Sequence, residues 1–416
     1  MIVVLSLYRP RVEDFLAARG EDILAVIPES MRTPRESTNP GYPIRTIDQW
    51  DNYNALTRLA VEFEGLEVTN VTTIDEPCIR AAAFLRDLLG LPGQDHNSAV
   101  GCTDKSVMKR RLEAAGIPVA EHRIVHSQQQ IRAFLDEMDG DDVVVKPRHG
   151  FGTINTHRVS QDNFDQLAAD GAFAGPSNLP DYFDSTSVAG DILALGYVAE
   201  RYIDVAAEYY CELFLDEGSL VHCLAGRYSN PILSDHLAGS VWLRPNSPEA
   251  VEVCELTLAA ASALGLTHGF GHCEIFRDRS GRWLVGEFAS RPGGLEVPRM
   301  LQLSYGIDNL ALLADQLAGR RPSTELAPQA NGAIAFRPVP APAGIITNIP
   351  HEAQLLALPG VIEAEIFLRT GDSTGDLLGA MTHAAYIFCV GDTAEEAEKF
   401  ADSALSFCQI TVDTGS

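Results

Sequence analysis

Residues 1–100 alternate short apolar runs with segments in which apolar positions recur every three or four residues. The runs predict strands at 2–7, 23–27 and 66–74, and the periodic segments predict helices at 11–18, 53–63 and 76–89. Strands that alternate with helices are typical of a parallel sheet covered by helices. The segment lacks a GxGxxG motif, so it carries no dinucleotide-binding fingerprint.

The later pattern predicts four more units. Helices capped by Asp104 and Ser127 are followed by a buried strand, a glycine-rich loop, a helix at 248–264 and a hairpin. A linker is predicted at 319–331 and a last helix at 393–406. The predicted units are an N-terminal α/β domain (1–100), a pair of helices (101–140), a unit with the glycine-rich loop (141–198), a core with the hairpin (199–320) and a C-terminal α+β module (332–416).

Composition narrows the class of protein. The chain of 416 residues is 46% hydrophobic, which is typical of a soluble globular protein, and its formal net charge of −26 argues against a nucleic-acid partner. Its eight cysteines include no CxxC pair and lie mostly in apolar runs, which favours buried, reduced thiols. The sequence shows neither a signal peptide nor a membrane span, so we expect a cytoplasmic protein.

A β-hairpin predicted at residues 271–288 carries the most specific chemistry. Counting outward from a two-residue turn at Ser280 and Gly281 places Glu274 opposite Glu287. Directly opposed carboxylates repel each other, so a partly buried pair needs a cation to offset the repulsion. Carboxylate oxygens beside phosphate are ligands that Mg²⁺ prefers. The hairpin therefore predicts a magnesium site, with an exposed acidic ladder as the alternative.

The same alternation brings Arg291 to the face that carries both glutamates. Arg291 stands directly before Pro292, Gly293 and Gly294, and glycines in such a place suggest the close approach of a ligand. Two carboxylates for a metal and a guanidinium for phosphate together predict a phosphoryl-transfer site. His272 lies on this face opposite Ala289, where it either contacts substrate or is a hydrogen-bonded, partly buried histidine.

A second phosphate-binding feature lies earlier in the chain. Lys146 ends an apolar strand and precedes a loop that contains Gly150, Gly152 and Thr153. Backbone N–H groups of such a loop can surround phosphate while the lysine neutralises it. The loop lacks the GxxxxGK[ST] pattern of a P-loop, and an ordinary turn beside a surface lysine is the alternative.

Taken in order, these segments resemble the ATP-grasp enzymes, and the resemblance covers nearly the whole chain. It includes Asp104-Lys105, Lys146 with its glycine loop, Glu200-Arg201-Tyr202-Ile203, Glu208, and the hairpin with its Arg-Pro-Gly-Gly segment. The C-terminal unit, with Gly344-Ile345-Ile346 and the turn Leu358-Pro359-Gly360-Val361, resembles that of the L-amino acid ligase branch. The resemblance implies an ATP-grasp fold, α/β and α+β, with a Rossmann-like N-terminal domain, a lid subdomain and a ligase module.

The resemblance also implies roles for individual residues. The phosphates of ATP would be bound by Lys105, Lys146, Gly150, Gly152 and Thr153, its adenine by Glu200, Arg201, Tyr202 and Ile203, and its ribose by Glu208. One or two Mg²⁺ ions would be held by Glu274 and Glu287, and the transferring phosphoryl group would be bound by Arg291. The substrate would contact His272, Arg227 and Gly294. Two departures stand out: Ala289 replaces a common asparagine, and one extra residue precedes Glu208.

The activity implied is ADP-forming ligation of a small carboxylate, such as an amino acid, to an amine through an acyl phosphate. One alternative is an aminoacyl–carrier-protein ligase that uses a pantetheine thiol, for which Arg227 and Arg244 are candidate contacts with the carrier. A biotin-carboxylase-like subunit and a non-catalytic nucleotide-binding protein are the others. A homodimer is expected from the family alone.

Overall fold

The computed structural model describes residues 1–174, 195–234, 239–322, 332–374 and 383–414. Part of the predicted linker, residues 323–331, and part of the unit predicted at 141–198, residues 175–194, lie outside these ranges. The mixed α/β class expected from the sequence is confirmed. Within the described ranges, no helix combines the length and apolar character needed to cross a membrane.

The N-terminal unit is a four-stranded parallel sheet with strand order β3-β2-β1-β4. Its strands β1–β4 are Ile2–Leu5, Ile23–Pro28, Ile44–Ile47 and Asn70–Thr72, and its helices α1–α4 are Arg11–Ala18, Arg32–Ser37, Tyr53–Phe63 and Ile79–Leu89. Strands β1 and β2 are buried along their whole length, as expected for central strands covered on both faces.

Some element bounds predicted in this unit need correction. The strand predicted at 66–74 is only Asn70–Thr72, and the helix predicted at 76–89 begins as a 3₁₀ turn at Glu76–Cys78. Proline in that first turn, Pro77, has no N–H to donate. Strand β3 and helix α2 were not predicted, because their polar and proline residues obscure both periodicities.

A second unit is a four-stranded antiparallel sheet with strand order β5-β8-β6-β7. It follows helices α5 (His96–Thr103) and α6 (Lys105–Ala114) and contains β5 (His122–Val125), α7 (Gln128–Glu137), β6 (Val143–Pro147), β7 (His157–Val159), α8 (Phe164–Ala169) and β8 (Tyr197–Arg201). Asp104 caps α6 by accepting hydrogen bonds from the N–H groups of Ser106 and Val107, as predicted.

The largest sheet has eight strands in the order β13-β12-β9-β10-β11-β14-β18-β16. Its core contributes β9 (Val205–Asp216), β10 (Ser219–Tyr228), β11 (Ser240–Trp242), α9 (Pro248–Leu264), β12 (Gly269–Asp278), β13 (Trp283–Ala289), α10 (Val297–Tyr305) and α11 (Asn309–Leu317). The C-terminal segment adds β14 (Ala333–Pro340), β15 (Gly344–Asn348), α12 (Glu352–Leu356), β16 (Val361–Ile366), β17 (Ser373–Thr374), β18 (His383–Gly391), α13 (Ala394–Phe407) and β19 (Thr411–Asp413). Strands β17, β15 and β19 form a separate small sheet.

Strand β9 has two faces of different chemistry. Since side chains alternate across a strand, Glu208, Tyr210 and Glu212 share one face. Tyr209, Cys211 and Leu213 lie on the other face, in a hydrophobic cluster with residues of α9. One strand thus separates a polar site from an apolar layer.

The predicted hairpin forms, with Glu274 opposite Glu287 and His272 opposite Ala289. The predicted two-residue turn is wrong, however, because Asp278 and Arg282 close a three-residue loop through an N–H to carbonyl bond of 2.9 Å. A β-bulge between Glu274 and Ile275 compensates for the shift and leaves Gly286 as the extra residue. A Cβ at position 286 would lie 2.7 Å from the Phe276 ring, so glycine suits this bulge.

Candidate active site

Five charged side chains alternate in sign where α6, β6, β8 and β13 meet. The ion pairs run from Lys105 to Glu287 (3.1 Å), from Glu287 to Lys146 (3.8 Å), from Lys146 to Glu200 (3.0 Å) and from Glu200 to Lys109 (3.1 Å). Lys105 and Lys109 project from the same side of α6, because residues four apart lie on one helix face. The set joins the second unit to the core.

Burial and mutual attraction determine the protonation of this set. Burial raises the pKa of Glu200, but Lys109 and Lys146 outweigh it and hold that pKa well below its ordinary value. Burial likewise lowers the pKa of Lys146, and Glu200 and Glu287 reverse the effect and raise it. The pKa of Lys109 is lowered, since burial there exceeds the attraction of Glu200. The strongest pairs therefore stay ionised around neutral pH.

The opposed carboxylates are the natural place for a divalent ion. The side chains of Glu274 and Glu287 are 27% and 24% exposed, so each is accessible to solvent yet partly shielded from water. Burial raises the pKa of Glu287, but Lys105 and Lys146 lower that pKa by more than burial raises it. Glu287 is therefore an ionised carboxylate at neutral pH. Hard oxygen donors on one sheet face fit Mg²⁺ better than a softer metal. The residues present therefore suit the ion that the sequence predicts.

Arg291 is anchored from the N-terminal unit. Its Nε donates to Glu76 at 2.8 Å, and Nη1 donates to the carbonyl of Pro292 at 2.8 Å. Burial lowers the pKa of Arg291, but Glu76 and Glu287 outweigh burial and hold that pKa above its usual value. Arg291 is thus a positioned cation near Glu287. Sequence analysis missed Glu76, because its partner lies more than two hundred positions away and no local pattern links them.

His272 belongs to a buried polar cluster on the same face as Glu274. Its Nδ1 lies 2.5 Å from Glu212 and its Nε2 lies 3.8 Å from Glu274. Burial opposes protonation, but Glu212 raises the pKa of His272 to about 9, so the ring is charged at neutral pH. The second oxygen of Glu212 accepts the N–H of Gly293 at 3.1 Å. A Cβ on Gly293 would lie 2.6 Å from Glu212 and 2.9 Å from His272, so a larger residue would displace this buried pair.

The glycine-rich loop is tied to the start of α6. Lys105 donates from Nζ to the carbonyl of Gly150 at 2.7 Å, and Arg148 donates to both carboxylate oxygens of Asp104. Gly152 and Thr153 are exposed with φ values of +64° and +60°. Both residues are in the left-handed backbone region, which glycine adopts at little strain. The predicted phosphate-binding loop and Lys105 are therefore neighbours.

The adenine prediction needs correction at the strand. Strand β8 lies between β5 and β6, so Glu200 and Arg201 do not form an open sheet edge. The N–H groups of Arg201 and Tyr202 already donate to the carbonyls of Glu121 and Asp142. The side chain of Glu200 points instead to the two lysines described above. Tyr202 and Ile203 lie in the short connection from β8 to β9, where a base contact stays a prediction.

Glu208 lies on the site face of β9 and accepts the N–H of Ile232 at 2.9 Å. Burial, followed by repulsion from Glu274, raises its pKa to about 8. A protonated carboxyl is a hydrogen-bond donor as well as an acceptor, which suits a hydroxyl-bearing ligand. Its predicted contact with ribose remains a prediction.

Arg227 and Gly294 have different surroundings from each other. Arg227 pairs with Tyr209 across β9 and β10 and so lies on the face away from Glu274. It binds Glu398 of α13 at 2.7 Å, so the structure does not bring it together with the other predicted site residues. The free space around Gly294 leaves room for a ligand. Arg244 donates to the carbonyl of Asp392, so it too contacts the C-terminal segment.

Lys109→Met is expected to lower the free energy of unfolding by about 3 kcal/mol, because it removes one partner of a buried ion pair. Its side chain is 1% exposed and that of Glu200 is 5% exposed. Adding Glu200→Gln should recover part of the loss by removing the uncompensated charge. Urea unfolding measures both. Arg110→Met, at an exposed position of the same helix, is the control, and an equal effect there would contradict the buried pair.

Glu208→Gln is expected to flatten the pH dependence of stability. The native carboxyl holds its proton up to about pH 8, whereas the unfolded group releases it near its ordinary value of 4.5. The native state then binds more protons between these values, so stability falls as pH rises through them. Between about pH 5.5 and 7.5 the fall in unfolding free energy should be smaller in the variant by roughly 2–3 kcal/mol. Urea unfolding without nucleotide or magnesium measures it; parallel curves would contradict the raised pKa.

Comparison with known proteins shows which enzymes this chain resembles. Residues 337–413 match the family model of the L-amino acid ligase C-terminal domain 2. The L-arginine-specific L-amino acid ligase of Bacillus subtilis is 28% identical over 306 residues, which cover 73% of this chain and 70% of the relative.

Solved structures share the architecture over almost the whole chain. The L-amino acid ligase from Bacillus licheniformis superposes with a TM-score of 0.73 at 18% identity, covering 99% of this chain and 98% of the other. Phosphoribosylglycinamide synthetase from Anaerococcus prevotii gives 0.64 at 16% identity, covering 99% of each chain. The predicted ATP-grasp fold is confirmed. The chain is thus a relative of the ATP-grasp L-amino acid ligases, and this relation supports an ADP-forming ligase.

Proposed function

We propose that this ligase activates the carboxylate of an amino acid as an acyl phosphate and couples it to the amine of a second small molecule. The observation that carries the proposal is the Glu274–Glu287 pair, with two lysines and an arginine on the same side of the sheet. The similarity of residues 337–413 to an L-amino acid ligase domain supports an amino acid as the substrate.

Each step makes a defined demand on the site. A carboxylate oxygen attacks the γ-phosphorus of ATP, the bond to the bridging oxygen breaks, and ADP leaves. The amine nitrogen then attacks the acyl carbon, phosphate leaves, and the amine loses a proton. Both steps build negative charge on oxygens, so catalysis depends mainly on positioning and on cations.

The chain supplies these cations from separate elements. Lys105 on α6 and Lys146 on β6 neutralise phosphate oxygens, and Arg291 beyond β13 meets charge that grows during transfer. Glu274 and Glu287 would hold Mg²⁺, which polarises phosphoryl oxygens when bound. Glu287 contacts both lysines, so binding of nucleotide and ion must redistribute these pairs. We further propose that the loop at Gly150 and Gly152 covers the nucleotide and excludes water.

A phosphate-release assay with pairs of amino acids tests the proposal. Each amino acid, arginine included, is offered with ATP and Mg²⁺, first alone and then with a second amino acid or another amine. Amine-dependent release of phosphate with equal ADP, and a product whose mass equals both substrates minus water, are expected. Release without an organic product, or none with any pair, would contradict amide formation.

The same assay separates the thiol acceptor. A phosphopantetheinyl carrier protein replaces the amine, and mass spectrometry looks for an aminoacyl thioester. Arg227 and Arg244, the predicted carrier contacts, are occupied by the C-terminal segment, so the structure favours the small amine. A homodimer stays a prediction, which light scattering can test.

A further inference from the structure

Three cysteine side chains meet on the face of the core sheet that looks away from the proposed active site. Cys211 lies on β9, Cys223 on β10 and Cys254 on α9, which packs against these strands. Their sulfur atoms all lie within 4.8 Å of one another. The sequence predicted isolated buried thiols, and only the packing of a helix on two strands makes a cluster of them.

The distances suit a metal better than a disulfide. The Cys211 sulfur lies 3.3 Å from that of Cys223 and 3.9 Å from that of Cys254, and all three cysteines are free. Three sulfurs around one tetrahedral ion with bonds of about 2.3 Å stand about 3.8 Å apart, whereas a disulfide needs about 2.0 Å. Cys223 also lies diagonally from Cys211 across the strand pair, since it pairs with Leu213. Such diagonal positions are separated by about 7–8 Å, which is too far for an unstrained disulfide.

The chemistry of the donors selects a soft ion. Three thiols without a carboxylate or imidazole favour zinc, cadmium or cuprous copper over magnesium. Cys211 is fully buried, while Cys223 and Cys254 are half-buried, so a fourth ligand can enter from the solvent side.

We propose that Cys211, Cys223 and Cys254 form a binding site for one thiophilic metal ion, with the fourth position open to solvent or a small thiol. The site is distinct from the magnesium site by position and by donor type. Strand β9 carries Cys211 towards α9 and its neighbours Tyr210 and Glu212 towards the active-site face. Occupancy would therefore stiffen the strand that carries Glu212, the hydrogen-bond partner of His272.

Cadmium titration of the full-length protein tests the site. The protein is reduced, stripped with a chelator and titrated with Cd²⁺ in excess Mg²⁺, and cadmium–thiolate absorption in the ultraviolet is followed. One equivalent is expected to bind, and Zn²⁺ added first is expected to compete for the same site and to be displaced by Cd²⁺, the softer ion. Cys223→Ala and Cys254→Ala should each weaken binding by about a hundredfold or more, because each removes one of three ligands.

Two controls keep the result specific. Cys389→Ala removes a buried cysteine outside the cluster and should bind Cd²⁺ like the wild type. Glu287→Gln should also keep Cd²⁺ binding, so the outcome is independent of the proposed ligase activity. Equal uptake by the wild type and by the Cys223→Ala and Cys254→Ala variants would overturn the proposal. So would a Cys211–Cys223 disulfide in the unreduced protein, shown by peptide mapping.

Discussion

Glu287→Gln is expected to reduce ligase turnover by about a thousandfold or more while the protein stays folded. The substitution keeps the shape of the side chain but removes the charge that faces Glu274 across the hairpin. A metal ligand contributes several kcal/mol of transition-state stabilisation, and about 4 kcal/mol corresponds to a thousandfold in rate. The loss should be partly offset at high Mg²⁺ if the remaining carboxylate still binds the ion. Phosphate release over a range of Mg²⁺ concentrations measures this.

Binding and folding must be followed alongside the rate. Glu287 also contacts Lys105 and Lys146, so its loss frees two cations for phosphate, and ADP binding without metal should be unchanged or tighter. Calorimetric titration with ADP checks this. Glu252→Gln changes an exposed glutamate of α9 and serves as the control. Full activity of Glu287→Gln would remove the metal assignment, and loss of folded structure would leave Glu287→Asp as the informative variant.

Arg291→Lys is expected to lower kcat by about a hundredfold to a thousandfold with little change in the affinity for ATP. The guanidinium is held by Glu76 on one side and by the Pro292 carbonyl on the other, and both contacts need its planar fork. A lysine keeps the charge but reaches neither point in the same geometry. Losing one preorganised donor for a developing charge has an effect of this size.

A second arginine–glutamate pair provides a matched control. Arg299 on α10 binds Glu363 of β16 through Nε at 2.9 Å, so its guanidinium is held by the C-terminal segment. Arg299→Lys should leave kcat unchanged within about twofold, as surface substitutions usually do. Single-turnover measurement of ADP formation separates the chemical step from product release. Equal effects of the two substitutions would show that Arg291 acts only on stability.

The hairpin shows how a correct prediction can rest on a wrong detail. The turn was predicted with two residues and has three, which by itself would have moved Glu287 out of register. The bulge at Gly286 restores the pairing with Glu274. Alternation of polar and apolar residues indicated which face each carboxylate takes, because burial of one sheet face strongly constrains register. The third loop residue and the bulge residue Gly286 offset each other in the strand pairing, so the alternation pattern shows neither of them.

The partners of the site lysines were beyond the reach of pattern analysis. Lys109 is an ordinary helix position four residues after Lys105, and nothing local distinguishes it from a solvated lysine. Only the approach of β8 to α6 buries it against Glu200. The same approach gives the Glu200 carboxylate two lysine partners, while a backbone contact of this segment with adenine stays a prediction.

What the sequence determined by itself is the set of local features: amphipathic helices with their caps, apolar strands, the opposed glutamates and the glycine loop. These follow from side-chain periodicity and backbone preference, which act over a few residues. The tertiary structure alone decided the joining of Glu76 to Arg291, the five-residue charge series and the meeting of three thiols behind β9. Those contacts arise between distant segments, because long-range burial and ion pairing are satisfied only once separate elements pack together.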